Sequence, residues 1–236
     1  MVTHGRTLFV TATGTDVGKT LVCGLLLRTL LQAGVRACYQ KWVSTGDAAR
    51  AADLDTVQEL TGTTDTTLPL DLQVPYRFAL PASPHLAAEQ EGIKIDPTRL
   101  IDTTRELTSR YDFVIVEGAG GVMVPLTRDL LLADLLAELR PPTLIVAKSG
   151  LGTINHTLLT IEALKSRNIP ILGLIFSDGP NPEDERLIPD NMATITALSK
   201  IKVFGRLSSS PDPSTLISTF APIAQNLLDE IGLTLI

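Results

Sequence analysis

The join at residues 7–20, "TLFVTATGTDVGKT", constrains this chain more than any other feature. An apolar, β-rich run passes directly into a loop of small residues that ends in Gly18-Lys19-Thr20, the tail of a phosphate-binding loop. A strand that hands over to a helix through such a loop belongs in a sheet whose strand ends face a ligand. The standard loop opens on a glycine five residues before Gly18, but Thr13 stands there and Gly14 follows. Gly14 and Gly18 allow close backbone approach and positive φ. The successive N–H groups of residues 14 to 20 can then wrap a phosphate at the start of a helix that begins near Lys19. Lys19 would reach the β- and γ-phosphates, and the Thr20 hydroxyl would ligate Mg²⁺.

The rest of the chain alternates in the way such a join requires. Strand-like runs fall at 7–12, 36–42, 113–118, 143–148, 171–176 and 201–206. Helix-like stretches lie at 19–33, 51–61, 97–110, 129–139, 153–167, 188–199 and 214–231. Continuous apolar strands separated by helices predict an α/β fold, a doubly wound and mainly parallel sheet with helices on both faces. With 236 residues and 44% apolar composition, one domain over 1–236 accounts for the whole chain. The segment 68–85, "LPLDLQVPYRFALPASPH", reads as the longest irregular piece, too apolar for a free linker and more often functional than idle.

Charge and cysteine usage exclude several classes. A net charge of −6 argues against a nucleic-acid or anionic-membrane partner. No apolar run approaches the ~20 residues of a membrane span, and "MVTHGR" carries no secretory h-region. Cys23 and Cys38 sit in apolar stretches and read as small buried hydrophobes, which fits a reducing compartment. The expected location is cytoplasmic.

A phosphate and metal site needs further charged groups at the same sheet edge. "YDFVIVEGAGG" supplies Glu117 at the carboxyl end of an apolar strand, exposed to the site and able to hold Mg²⁺. Gly118, Ala119 and Gly120 leave room for phosphate, while Asp112, at the other end of the strand, reads as a cap or turn residue. Lys41 ends the second strand in "YQKWVSTGD" and can neutralise charge during phosphoryl transfer, although spacing alone suits a surface lysine equally well. Thr45 and Gly46 follow as a small hydroxyl and a turn. Asp53, opening "DLDTVQEL", reads on its own as a first-turn helix acid.

Taken together, "FVTATGTDVGKT", "YQKWVSTG", "DLDTVQ", "PYRFALPASPHLAA", "VEGAGGVMVPL" and "LGTINHTLLT" resemble the dethiobiotin synthetase family. The resemblance runs through most of the chain and implies a P-loop NTPase-like fold. It also accounts for the loop, which is longer than the standard form in that family, with Ala12 here where many members carry glycine. The implied activity is that of an ATP-dependent cyclo-ligase of biotin synthesis. CO₂ adds to one amine of 7,8-diaminononanoate (diaminopelargonate) as a carbamate, and ATP phosphorylates it to a carbamic-phosphoric anhydride. The second amine then closes the ring to dethiobiotin. Such chemistry asks the protein to align groups and screen charge rather than supply a nucleophile.

The resemblance also assigns residues. Lys19 and Lys41 become the catalytic cations, and Thr20, Asp53 and Glu117 the Mg²⁺ ligands. The nucleotide contacts are Thr15, Asp16, Val17, Gly18, Lys19, Thr20, Leu21, Asp53, Glu117, Gly118, Ala119 and Gly120, with Ser177, Asp178, Leu207, Ser208 and Ser209 at the base. Thr15, Lys41, Thr45, Gly152, Thr153 and Asn155 fall to the substrate. In "SGLGTINHT" the residues alone predict helix capping by Thr153 or Asn155 and free N–H groups for a carboxylate. In the family this loop serves the other subunit's site, which implies a homodimer. His85 and His156 are expected to make local hydrogen bonds only.

Three departures from the family pattern stand out. Trp42, the one tryptophan, takes the place of a proline after the lysine and is expected to pack beside the pocket. Ser177-Asp178 replaces Asn-Asp, and "GRLSSS" lacks the usual proline. The last two lie at the base-reading positions, so nucleoside triphosphates other than ATP are left open as co-substrates. A switch or partitioning ATPase, acting as a protein-binding module, is the alternative reading. Those proteins carry an extra lysine five residues before the main one, where this chain has Gly14. No Asn-Lys-x-Asp base reader of a GTPase is present, and a glutamine-dependent amide ligase would need a further domain.

Overall fold

The computed structural model describes residues 6–46, 51–63, 68–179 and 184–233. In chain order its elements are β1 Arg6–Ala12, α1 Lys19–Gln32, β2 Ala37–Lys41, β3 Val43–Thr45, α2 Ala52–Thr61, α3 Leu70–Gln73, β4 Tyr76–Phe78, α4 Pro84–Gln90 and α5 Pro97–Arg110. They continue as β5 Phe113–Gly121, α6 Leu132–Leu139, β6 Thr143–Lys148, α7 Thr153–Lys165, β7 Ile171–Ser177, α8 Leu187–Ser199, β8 Val203–Leu207 and α9 Pro213–Glu230.

Side-chain alternation along the strands divides the core in two. Leu8, Val10 and Ala12 of β1 join Leu26 and Leu30 of α1 and Ile223 and Leu227 of α9 on one face of the sheet. Phe9 turns to the other face, with Leu100 and Leu107 of α5, Leu132 and Leu136 of α6 and Ile161 and Leu164 of α7. Each fully buried side chain of this kind contributes ~1.5–3 kcal/mol. Both faces being apolar is what makes the strands continuous apolar runs, and the expected doubly wound α/β architecture is what forms.

Six strands make one parallel sheet in the order β2-β5-β1-β6-β7-β8. From central β1 the chain moves to β2 at one edge, returns through β5, and then crosses to β6 on the far side. The carboxyl ends of strands at such a reversal form a ligand crevice. The register sets Lys41 of β2 and Val10 of β1 on either side of Glu117 in β5. A second, two-stranded sheet pairs Val43–Thr45 with Tyr76–Phe78. The segment 68–85 is therefore not irregular: it holds α3 and β4, and its Val74 and Phe78 are fully buried. These elements are only three or four residues long, too short for a periodic signal.

Candidate active site

The phosphate loop ends in a helix start that is left open. Gly18 takes the N-cap position of α1 with φ +97° and, having no side chain, makes no capping hydrogen bond. The first N–H groups of α1 thus remain available to an anion. The position tolerates only glycine, since a Cβ there would meet Ser177 Oγ at 2.5 Å. Asp16 holds a left-handed φ of 55° within the same loop, an unusual strain for a non-glycine residue. Lys19 is buried, and its Nζ donates to the Gly14 carbonyl at 3.1 Å. Burial and the neighbouring Lys41 lower its pKa, against the opposing pull of Glu117 and Asp53.

Period-2 alternation places Tyr39 and Lys41 of β2 on the same face as Glu117 of β5. The Lys41 ammonium bridges the Glu117 carboxylate at 2.5 Å and Asp53 at 2.8 Å. The Thr20 hydroxyl lies 2.8 Å from Asp53 Oδ1 and 3.1 Å from Glu117 Oε1, and Tyr39 O–H donates to Glu117 Oε2 at 2.8 Å. Glu117 is 0% exposed, not the solvent-facing carboxylate that its place at a strand end predicts. The reason is that β5 runs on to Gly121 and is flanked by β1 and β2, so Glu117 lies inside the sheet edge.

Burial would lower the Lys41 pKa, but Glu117 and Asp53 outweigh it and hold the ammonium above its ordinary value. Burial would likewise raise Asp53, but Lys41 and the Thr20 hydroxyl bring it below the ordinary carboxylate value. Tyr39 is pushed well up by burial and then by Glu117, and so is the Cys23 thiol. Cys23 and Cys38 are both buried, and neither forms a disulfide.

Lys19, Thr20, Lys41, Asp53 and Glu117 line a cleft of about 410 Å³ with Thr15, Asp16, Val17, Gly18, Leu21, Val43, Thr45, Thr56, Ala119 and Gly120. Among the described residues no cluster of three or more His, Cys, Asp or Glu could enclose a metal. Two carboxylates and a hydroxyl are instead the set that suits Mg²⁺, which keeps waters and phosphate oxygens as its other ligands. The Lys41 ammonium stands between the two carboxylates. A larger cavity of about 650 Å³, walled by Phe9, Trp42, Ile101 and Phe113, opens at the opposite, amino-terminal edge of the sheet. It holds none of the paired lysines and acids, so the smaller cleft is the functional candidate.

The remaining expected residues form two separate groups. Ser177 pairs in register with Leu207, and Asp178 N donates to the Leu207 carbonyl at 3.0 Å. The Asp178 carboxylate also accepts from Arg206 at 2.8 Å, from Ser149 Oγ at 2.5 Å and from the Ser209 backbone. Ser177, Asp178 and the 207–209 turn, with Ser208, are thus one unit beside the phosphate loop. Burial opposes and Arg206 and Ser149 dominate in keeping Asp178 below its ordinary value.

Gly152, Thr153 and Asn155 stand at the start of α7 and do not line the cleft. The expected capping by Thr153 or Asn155 does not occur. Gly152 is the N-cap with no side-chain hydrogen bond, because the Thr153 hydroxyl turns instead to Thr157 at 3.1 Å.

Asp112, at the other end of β5, pairs with Arg36 at 2.7 Å. His85 departs from the local bonding expected of it, since its Nδ1 is buried with no partner among the described residues. Trp42 packs on Phe9 beneath the sheet edge rather than against the cleft. The sequence reading missed Tyr39, which lies two residues before Lys41 and shares its face, a signal that was available. It also missed Arg206 and Ser149, for which the sequence carries none.

A family model described as an AAA domain matches residues 6–215. The ATP-dependent dethiobiotin synthetase BioD of Rhizorhabdus wittichii is 42% identical over 218 residues, covering 92% of this chain and 94% of that protein. The protein of the same name from Anaeromyxobacter dehalogenans is 41% identical over 208 residues, covering 88% and 92%. That of Halalkalibacterium halodurans is 39% identical over 221 residues, covering 90% and 88%. Among solved structures, the Pyrococcus furiosus cell division ATPase MinD superposes with a TM-score of 0.59 at 18% identity, covering 97% and 98%. A ParA family ATPase from Chlorobium tepidum gives 0.55 at 15% identity, covering 95% and 97%. At that identity the two structures attest the fold alone.

Proposed function

Because the chain belongs to the ATP-dependent dethiobiotin synthetases, we propose that its cleft activates a carbamate of 7,8-diaminononanoate with ATP and closes the ureido ring. The observation that carries this assignment is the convergence of Lys19, Lys41, Thr20, Asp53 and Glu117 at the carboxyl ends of β1, β2 and β5. The open N-terminus of α1 and the loop amides receive the phosphates. Lys19, now donating to Gly14, turns to the β- and γ-phosphates. Lys41 screens the charge that gathers as the carbamate oxygen attacks the γ-phosphorus and ADP leaves. The second amine then attacks the carbonyl carbon, and inorganic phosphate departs.

Thr20, Asp53 and Glu117 would hold Mg²⁺, which when bound screens the phosphate oxygens and stabilises the developing charge. Thr15 and Thr45 border the diamine. Ser177, Asp178 and the 207–209 turn border the base, with one short hydroxyl where an amide could make two hydrogen bonds. Gly152, Thr153 and Asn155 hold the substrate carboxylate in the site of a second subunit. The uncapped start of α7 and the exposure of Leu151 and Leu159 on the same helix region support that dimer.

The test is nucleotide hydrolysis with and without diaminopelargonate and bicarbonate, with dethiobiotin measured in parallel. Phosphate release that waits for the diamine is expected. Release that ignores it would favour the partitioning-ATPase reading instead.

A further inference from the structure

We propose that Thr104 is a positioning residue for Lys41, acting through the two side chains that flank it. The inference rests on the role given to Lys41 above. Lys41 ends β2, the edge strand of the six-stranded sheet, which is hydrogen-bonded on one side only, to β5. An edge strand lacks the second neighbour that fixes an inner strand laterally. Yet Lys41 must be held well enough to reach both Glu117 and Asp53.

The missing restraint comes from α5. Gln40 and Trp42, on the face opposite Lys41, are both buried, and both bond to one hydroxyl. Trp42 Nε1 donates to Thr104 Oγ1 at 3.0 Å, and that hydroxyl lies 2.6 Å from Gln40 Oε1. Gln40 Nε2 is tied in turn to the Leu72 carbonyl at 2.9 Å and to Thr103 Oγ1 at 3.1 Å. The Trp42 ring packs on Phe9 with centroids 4.9 Å apart, and Trp42 N donates to the Glu117 carbonyl at 3.1 Å. Thr104 thus accepts from the residue after Lys41 and faces the acceptor of the residue before it. No other side chain among the described hydrogen bonds touches both flanks of the lysine. Its loss frees the end of the edge strand to shift by a fraction of an ångström, and a 1 Å misplacement can cost about a hundredfold in rate.

Thr104→Val keeps the shape and removes the hydroxyl. Turnover should fall about tenfold while KM for ATP stays within about twofold, because the phosphate loop is untouched. Thr104→Ser should restore turnover to within about threefold of the original. The emission of Trp42, the sole tryptophan, should change in the valine variant and return in the serine variant. Trp42→Phe, which keeps a ring against Phe9 and removes the Nε1 donor, should reproduce the turnover loss. It serves as the test if the valine variant does not fold.

Turnover unchanged in a folded Thr104→Val, or in Trp42→Phe, would overturn the proposal, and so would a parallel rise in KM with no fall in kcat. Lys41→Ala is measured alongside. If Lys41→Ala stays active, the role of Lys41 itself is wrong. If it is inactive while Thr104→Val turns over normally, the positioning role alone is.

Discussion

Replacing Lys41 with methionine should destabilise the protein and make it unusually responsive to divalent cations. Among the described residues, Lys41 is the cation that bridges both Glu117, which is 0% exposed, and Asp53. Removing one partner of a buried ion pair costs ~3–5 kcal/mol, because the other charge is left uncompensated. The structure trims that figure. Asp53 is 32% exposed and keeps some solvent, and Glu117 retains hydrogen bonds from Tyr39 and Thr20. A loss of about 2–4 kcal/mol remains. In a domain of this size each kcal/mol moves the melting midpoint by ~2–4 °C, so a fall of roughly 4–16 °C is expected.

Mg²⁺ or Mn²⁺ without nucleotide should then recover part of the loss. A ligand at a hundred times its dissociation constant adds about 2.7 kcal/mol. In the unaltered protein the same ion meets an ammonium already seated on both carboxylates, and a divalent ion 4 Å from that ammonium is repelled by ~8 kcal/mol at an effective dielectric of ~20. Thermal melts followed by circular dichroism, with and without the metal, give the comparison. The reasoning fails if the methionine variant melts with the unaltered protein, or if the metal stabilises both equally.

Four other outcomes are expected. Folding stability against pH should show the Lys41 contribution intact below the ordinary lysine value of 10.5 and lost only as pH rises through its higher folded value. The difference between Lys41→Met and the unaltered protein in denaturant titrations should therefore be level through neutral pH and close only in strong alkali. Gly18→Ala, which combines a φ of +97° with a 2.5 Å approach to Ser177 Oγ, should weaken nucleotide binding by at least about tenfold in calorimetry. An inactive Lys41→Ala subunit mixed with an inactive Asn155→Ala subunit should regain activity through one intact shared site, and a fully active monomer in ultracentrifugation would exclude this. CTP or GTP should support the reaction within about tenfold of ATP in kcat/KM, since the short Ser177 hydroxyl cannot make the paired contacts of an amide. A preference of several hundredfold would assign base reading to the backbone of residues 207 to 209.

What was legible in the sequence follows from range. The strands and long helices are written in local periodicity, and each was placed to within a few residues by it. Lys19 and Thr20 were legible because they open a helix directly after a strand, where the fold class itself fixes the direction of the ligand. Position left Lys41 evenly balanced with a surface lysine, and the family resemblance singled it out. Short elements were not. β3, β4 and α3 have no room for a period, so 68–85 reads as loop although Phe78 is fully buried and pairs opposite Thr45.

The environment of Glu117 shows a different limit. Its place at a strand end is local information, but its burial depends on which strands lie beside it. Nothing in "FVIVEG" says that β5 sits between β1 and β2, and only that order brings Tyr39 and Lys41 against the carboxylate. The same order makes β2 an edge strand, and so makes the Lys41 position depend on Gln40, Trp42 and a helix more than sixty residues further along the chain. A motif can name the lysine. Where its ammonium stands is decided by a threonine that belongs to no motif, because a strand paired on one side must be fixed from its faces.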